Sequence, residues 1–67
     1  MSPKTLGRML KTLREAQGLT QAQLAKKTRL TEAYISMIET GKRKAPSLPV
    51  LRRLAKVLGV PVTELLE

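Results

Sequence analysis

The 67 residues suffice for one small domain, and with neither cysteine nor histidine the chain has no disulfide and no His/Cys metal site to hold it together. Thirteen Lys and Arg against five acidic residues, all glutamate, leave a net charge of +8. A surplus this large on so short a chain points to a polyanion, nucleic acid first and an anionic membrane surface next.

Further exclusions narrow the choice. No apolar run approaches the roughly 20 residues needed to span a bilayer. The start, Met1-Ser2-Pro3-Lys4, lacks the long apolar stretch of a secretory signal, so a cytoplasmic, nucleoid-associated protein is expected. The basic residues are spread over several segments, with no long, strongly polarised amphipathic helix to lie on a membrane. Tyr34 is the one aromatic residue, whereas single-strand binders stack bases on several rings. Nucleic acid therefore stays the first expected partner, and the single ring argues against a single-stranded one. Without a Gly-rich phosphate loop or a plausible pair of carboxylates, neither catalysis nor a cofactor is expected, and no small-molecule effector is evident.

Gly and Pro divide the chain into short amphipathic segments without repeats. Leu6, Met9, Leu10 and Leu13 recur at helical spacing, and Gly18 is placed to end that first helix. Thr20 caps a second helix, with Gln23 completing a capping box and Leu24 and Ala25 buried. Thr31 caps a third, running to Thr40 and stopping at Gly41, with Ile35 and Ile38 inward. Residues Lys42 to Pro46 read as an exposed basic loop. Ser47 caps a fourth helix with Pro49 in its first turn, and Leu48, Leu51, Leu54, Ala55 and Leu58 give its core face before Gly59. A short turn from Val62 to Leu66 closes an all-α fold of five helices.

Two helices of this length joined at a tight turn after Thr28 carry the helix-turn-helix pattern, and Ala25 is the small residue that lets them cross closely. The stretch GLTQAQLAKKTRLTEAYISMIETGKR, followed by PSLPVLRRLAKVLGVPVTELL and preceded by LGRMLKTLREAQ, resembles the Cro/repressor-like (XRE-type) helix-turn-helix family over nearly its whole length. The resemblance implies a compact lambda-repressor-like domain that regulates transcription by binding operator DNA, commonly as a symmetric dimer.

Gln21 matches the family glutamine that contacts a phosphate and buttresses the recognition helix, and Thr31 stands at the corresponding start of the third helix. With Ile35 and Ile38 inward, Ala33, Met37 and Thr40 face outward, flanked by Glu32 and Ser36. These five are the candidates for base contacts in the major groove. None is Arg, Gln or Asn, so the strongest bidentate contacts are missing and part of the specificity is expected to come from DNA shape. Lys42, Arg43 and Lys44 follow directly and are expected to grip phosphates. Tyr34 resembles family tyrosines that reach a phosphate through the hydroxyl; a ring covering the core is the other reading.

Arg14 and Glu39 match family positions that form an ion pair between the first helix and the end of the third. Arg29 departs from the pattern, because the family often places Gly in this turn. Val57, Val62 and Leu66 are candidates for a homodimer interface, unless Val62 and Leu66 pack back on the first helix. A protein-interaction role, as an antitoxin or accessory subunit with a protein partner, is the alternative function.

Overall fold

A computed structural model describes residues 3–43 and 46–66, with side chains from Thr5 onward. Among them the chain forms α1 (Pro3–Ala16), α2 (Gln21–Thr28), α3 (Glu32–Glu39), α4 (Leu48–Leu58) and α5 (Thr63–Leu66), and no strand. None of these helices is long and apolar enough to cross a membrane.

The expected caps are present. The Thr20 side chain accepts from the Gln23 N–H at 3.0 Å, and the Gln23 side chain accepts from the Thr20 N–H at 2.9 Å. Thr31 and Ser47 cap α3 and α4 in the same manner, through the N–H groups of Tyr34 and Val50. Each such bond satisfies a helix-start donor that would otherwise lack a partner, worth about 1 kcal/mol.

Packing then joins the helices. α3 lies against both α1 and α2, α2 also meets α4, and α5 closes on α1 and α4. Leu10, Leu24, Ile35, Ile38 and Leu54 are wholly covered at the centre. Burial stabilises each by about 1.5–3 kcal/mol, and truncating one to Ala would cost about 2–5 kcal/mol. The approach of α1 to α3 is close enough to require Gly7. A Cβ there would sit 2.5 Å from the Glu39 carbonyl oxygen and 2.6 Å from that of Ile38.

Four details differ from the sequence expectation. Leu48 is 41% exposed and not part of the core face of α4. It lies in the first turn between the exposed Ser47 and Pro49, ahead of the packed stripe that starts at Leu51. α3 ends one residue early, with Thr40 as its C-cap. The basic loop is not wholly exposed, because Pro46 is buried beside the cap of α4. Leu65, absent from the expected core, is only 2% exposed.

Candidate nucleic-acid interface

The turn between α2 and α3 sets the angle of the helix pair. Arg29 has φ 60° and ψ 32°, the left-handed conformation that glycine adopts without strain. Its N–H donates to the Lys26 carbonyl at 3.3 Å, and the Leu30 N–H donates to that of Ala25 at 2.9 Å, the bond pair of a Schellman motif. α1 and α4 end with the same bond pair, but there the left-handed residues are Gly18 and Gly59. The family pattern often has Gly at this turn, and Arg29 could either keep its left-handed geometry or change it. It keeps it.

α3 presents two distinct faces. Ile35 and Ile38 are fully buried, whereas Glu32, Ala33 and Thr40 are exposed and Met37 is 39% exposed. Ser36 is half-buried at the edge of that outer stripe. The Thr40 hydroxyl donates back to the Ser36 and Met37 carbonyls at 3.0 and 3.3 Å, which leaves its oxygen as an acceptor. Thr31 is exposed at the N-terminus of α3, and its hydroxyl oxygen serves the cap.

The far end of α3 is fixed by a cluster around Glu39. Arg14 Nε donates to Glu39 Oε2 at 2.7 Å and Arg14 Nη2 donates to Oε1 at 3.1 Å, the bidentate geometry that suits a guanidinium and a carboxylate. The two side chains are 10% and 3% exposed. The third arm of Arg14 donates to the Leu19 carbonyl at 2.7 Å, tying the cluster to the loop before α2. Gln21 joins it too, its amide donating to Glu39 Oε1 at 3.1 Å. The hydrogen bond to Glu39 raises the Arg14 pKa, against the opposing effect of burial. One carboxylate thus connects α1, α2 and α3, and it orients the Gln21 amide at the start of α2, where free N–H groups carry partial positive charge. The family resemblance anticipated Arg14 and Glu39 as partners and Gln21 as a buttress of α3; that Gln21 does so through the same carboxylate was not anticipated.

Beyond α3, Lys42 and Arg43 are exposed, and Lys44 lies outside the described residues. Arg43 is nevertheless held. Its N–H donates to the Met37 carbonyl at 3.1 Å, and its guanidinium lies 5.2 Å from the centre of the Tyr34 ring. That ring is half-buried against the core, and among the described residues its hydroxyl makes no hydrogen bond.

The residues expected at a dimer contact are divided. Val57 and Val62 are half-buried against the core, and Leu66 is 39% exposed. α5 does pack on α1.

Thr31, Glu32, Ala33, Met37, Thr40, Lys42 and Arg43 therefore share one exposed helix face and the loop that follows it, with Gln21 and Tyr34 fixed at its margins. The chain is similar to known proteins over most of its length. The chain is 44% identical over 66 residues to the uncharacterized HTH-type transcriptional regulator RghRB of Bacillus subtilis, covering 98% of this chain and 46% of that protein. It is 41% identical over 59 residues to the immunity repressor protein of Bacillus phage phi105, covering 88% and 40%. The chain thus spans less than half the length of either relative. The crystal structure of SinR, the Bacillus subtilis master regulator for biofilm formation, in complex with DNA matches at a TM-score of 0.89 and 32% identity, covering 92% of this chain and 98% of that one. Residues 10–65 match the family model described as helix-turn-helix. With the fold, the capped helix pair and this match in agreement, the chain belongs to the Cro/repressor-like (XRE-type) helix-turn-helix family of DNA-binding domains.

Proposed function

We propose that this chain binds double-stranded operator DNA and regulates transcription, as a repressor acting in a homodimer on an inverted repeat. The observation that carries the reading is the outer stripe of α3. Ala33 and Met37 stand clear of the core on a helix whose opposite side is fully buried. A helix presented this way fits the major groove, where its side chains reach base edges. Glu32 is suited to accept from cytosine N4, and Ala33 and Met37 to meet thymine methyl groups. Ser36 and Thr40 offer oxygen acceptors. Gln21, Thr31, Lys42 and Arg43 are proposed as phosphate contacts beside that stripe, Lys44 is proposed as another from its sequence position alone, and the Tyr34 ring supports Arg43.

Size supports the dimer. The domain measures 24 × 23 × 20 Å, and successive major-groove faces on one side of DNA lie about 34 Å apart. One chain can read one half-site; two are needed for a palindrome. Leu66, Val57 and Val62 are proposed as the contact. Acting on operator DNA would place the protein with the nucleoid.

Selection of bound sequences from random duplex DNA tests the whole reading. Enrichment of an inverted repeat with half-sites one helical turn apart is expected. Recovery of unenriched sequence would remove the operator-reading role and leave the alternative, an antitoxin or accessory subunit that holds a protein. Sedimentation velocity with and without the selected duplex checks the dimer; a monomer in both samples would end that part of the proposal.

A further inference from the structure

We propose that the groove between the C-terminal end of α2 and the outer side of α4 docks an acidic peptide segment of a partner protein. The groove has a volume of about 500 Å³ and is lined by Lys27, Thr28, Arg29, Arg53, Lys56 and Val57. Its four cationic side chains are exposed, and none has a carboxylate partner among the described residues. Thr28 turns its hydroxyl away, donating to the Leu24 carbonyl at 2.8 Å, and Val57 is half-buried. The result is a partly apolar floor between two basic walls. None of these residues belongs to the α3 face, and Lys27 lies about 9 Å along α2 from Gln21 at 1.5 Å per residue. The groove is therefore distinct from the α3 face, and the inference does not depend on DNA binding. Its Val57 also belongs to the proposed dimer contact, so the peptide and a second copy compete there.

Arg29 is the strongest single pointer. Three helices end in the same bonded turn, and only this one carries a side chain at the left-handed position. Holding an L-residue there is strained, and strain of this kind clusters where side chains have a task. The side chain that the turn retains is a guanidinium on the wall of the groove.

The chemistry selects the occupant. Among the described residues, the carbonyls of Lys27 and Thr28 accept no hydrogen bond, as expected in the last turn of a helix. Those carbonyls need N–H donors, which a peptide backbone supplies and a phosphate group lacks. The groove lining also offers no aromatic ring on which a nucleotide base would stack. A peptide with acidic and aliphatic residues meets all three features. Its carboxylates suit the Arg and Lys forks, its N–H groups suit the carbonyls, and an aliphatic side chain suits Val57. The small contact area makes the association weak and reversible.

The test is amide chemical-shift mapping on the ¹⁵N-labelled chain, titrated with an end-capped hexapeptide of four glutamates and two leucines. Sodium tripolyphosphate and a random duplex are run in parallel. The expected result is saturable peptide shifts at Lys27 to Arg29 and Arg53 to Val57. The double variant Arg53→Glu/Lys56→Glu should weaken peptide binding at least tenfold without lowering the melting temperature. Arg29→Gly should weaken binding several-fold while raising the melting temperature, a combination that a purely structural Arg29 would not produce. Peptide shifts confined to Glu32–Arg43, or none at millimolar peptide, would overturn the proposal. So would tighter groove binding by tripolyphosphate or by the duplex, which would make the groove a phosphate or nucleic-acid surface.

Discussion

The guanidinium of Arg43 rests over the Tyr34 ring, 5.2 Å from its centre, so a basic side chain that the sequence places in an open loop is braced against α3. A cation held over an aromatic face gains about 0.5–1 kcal/mol at an exposed site. On the proposed reading, in which Arg43 grips a phosphate, Tyr34 acts on DNA binding through its ring. We predict that Tyr34→Phe keeps both affinity and salt dependence, whereas Tyr34→Leu lowers affinity up to about fivefold at that coupling energy. Arg43→Ala should reduce the slope of log affinity against log salt by about 0.9, the share of one phosphate contact. If Tyr34→Phe alone loses that slope, the hydroxyl makes the contact and the ring does not explain it.

Glu39 is the residue whose loss should cost most stability outside the aliphatic core. Glu39→Ala leaves the Arg14 guanidinium largely buried without its carboxylate, a change that costs about 3 kcal/mol when the pair is well buried. For a domain of this size each 1 kcal/mol moves the melting temperature by about 4–8 °C. A drop of more than about 10 °C is expected in a thermal melt. A change within about 0.5 kcal/mol would show that the pair contributes no more than an exposed one.

Arg29→Gly should stabilise the fold. It relieves a left-handed L-residue, worth about 1–2 kcal/mol, and gives back about 0.4–1 kcal/mol through the freer unfolded chain. The expected gain in denaturant unfolding is about 1 kcal/mol, and Arg29→Ala should show no such gain because its Cβ keeps the strain.

Gly7→Ala should act in the opposite direction, since its new methyl group meets two backbone carbonyls that cannot move aside independently. A loss of about 1–3 kcal/mol is expected from such overpacking. Unchanged stability would mean that α1 can shift away from α3 at no cost.

Base readout is tested at Met37. Exchanging it for Gln replaces an apolar contact with a side chain that pairs bidentately with adenine. Repeating the selection from random duplexes should then shift one position of each half-site towards adenine. An unchanged preference would remove Met37 from recognition.

What the sequence made legible was local or periodic. Thr20 and Gln23 are three residues apart, and their reciprocal cap follows from that spacing alone. Ile35 and Ile38 follow from helical period. Arg14 and Glu39, 25 residues apart, were reached through the family pattern and not from spacing. Features made by tertiary approach were not legible. Gly7 reads as a weak spot in a helix until the backbone of α3 is found against it. Leu48 has the composition of a core residue but sits ahead of the packed turns of α4. The Tyr34–Arg43 contact depends on the turn at Gly41, whose path no spacing rule gives.

The division of α3 into a sealed side and an open side has an evolutionary consequence. Ile35, Ile38 and Glu39 secure the helix, whereas Glu32, Ala33 and Met37 lend the core almost nothing. Exchanges at those three open positions should each change folding stability by no more than about 0.5 kcal/mol. If this stripe reads an operator as proposed, the domain can acquire a new one by a few substitutions without passing through an unfolded intermediate sequence. Its vocabulary can change while its scaffold stays the same.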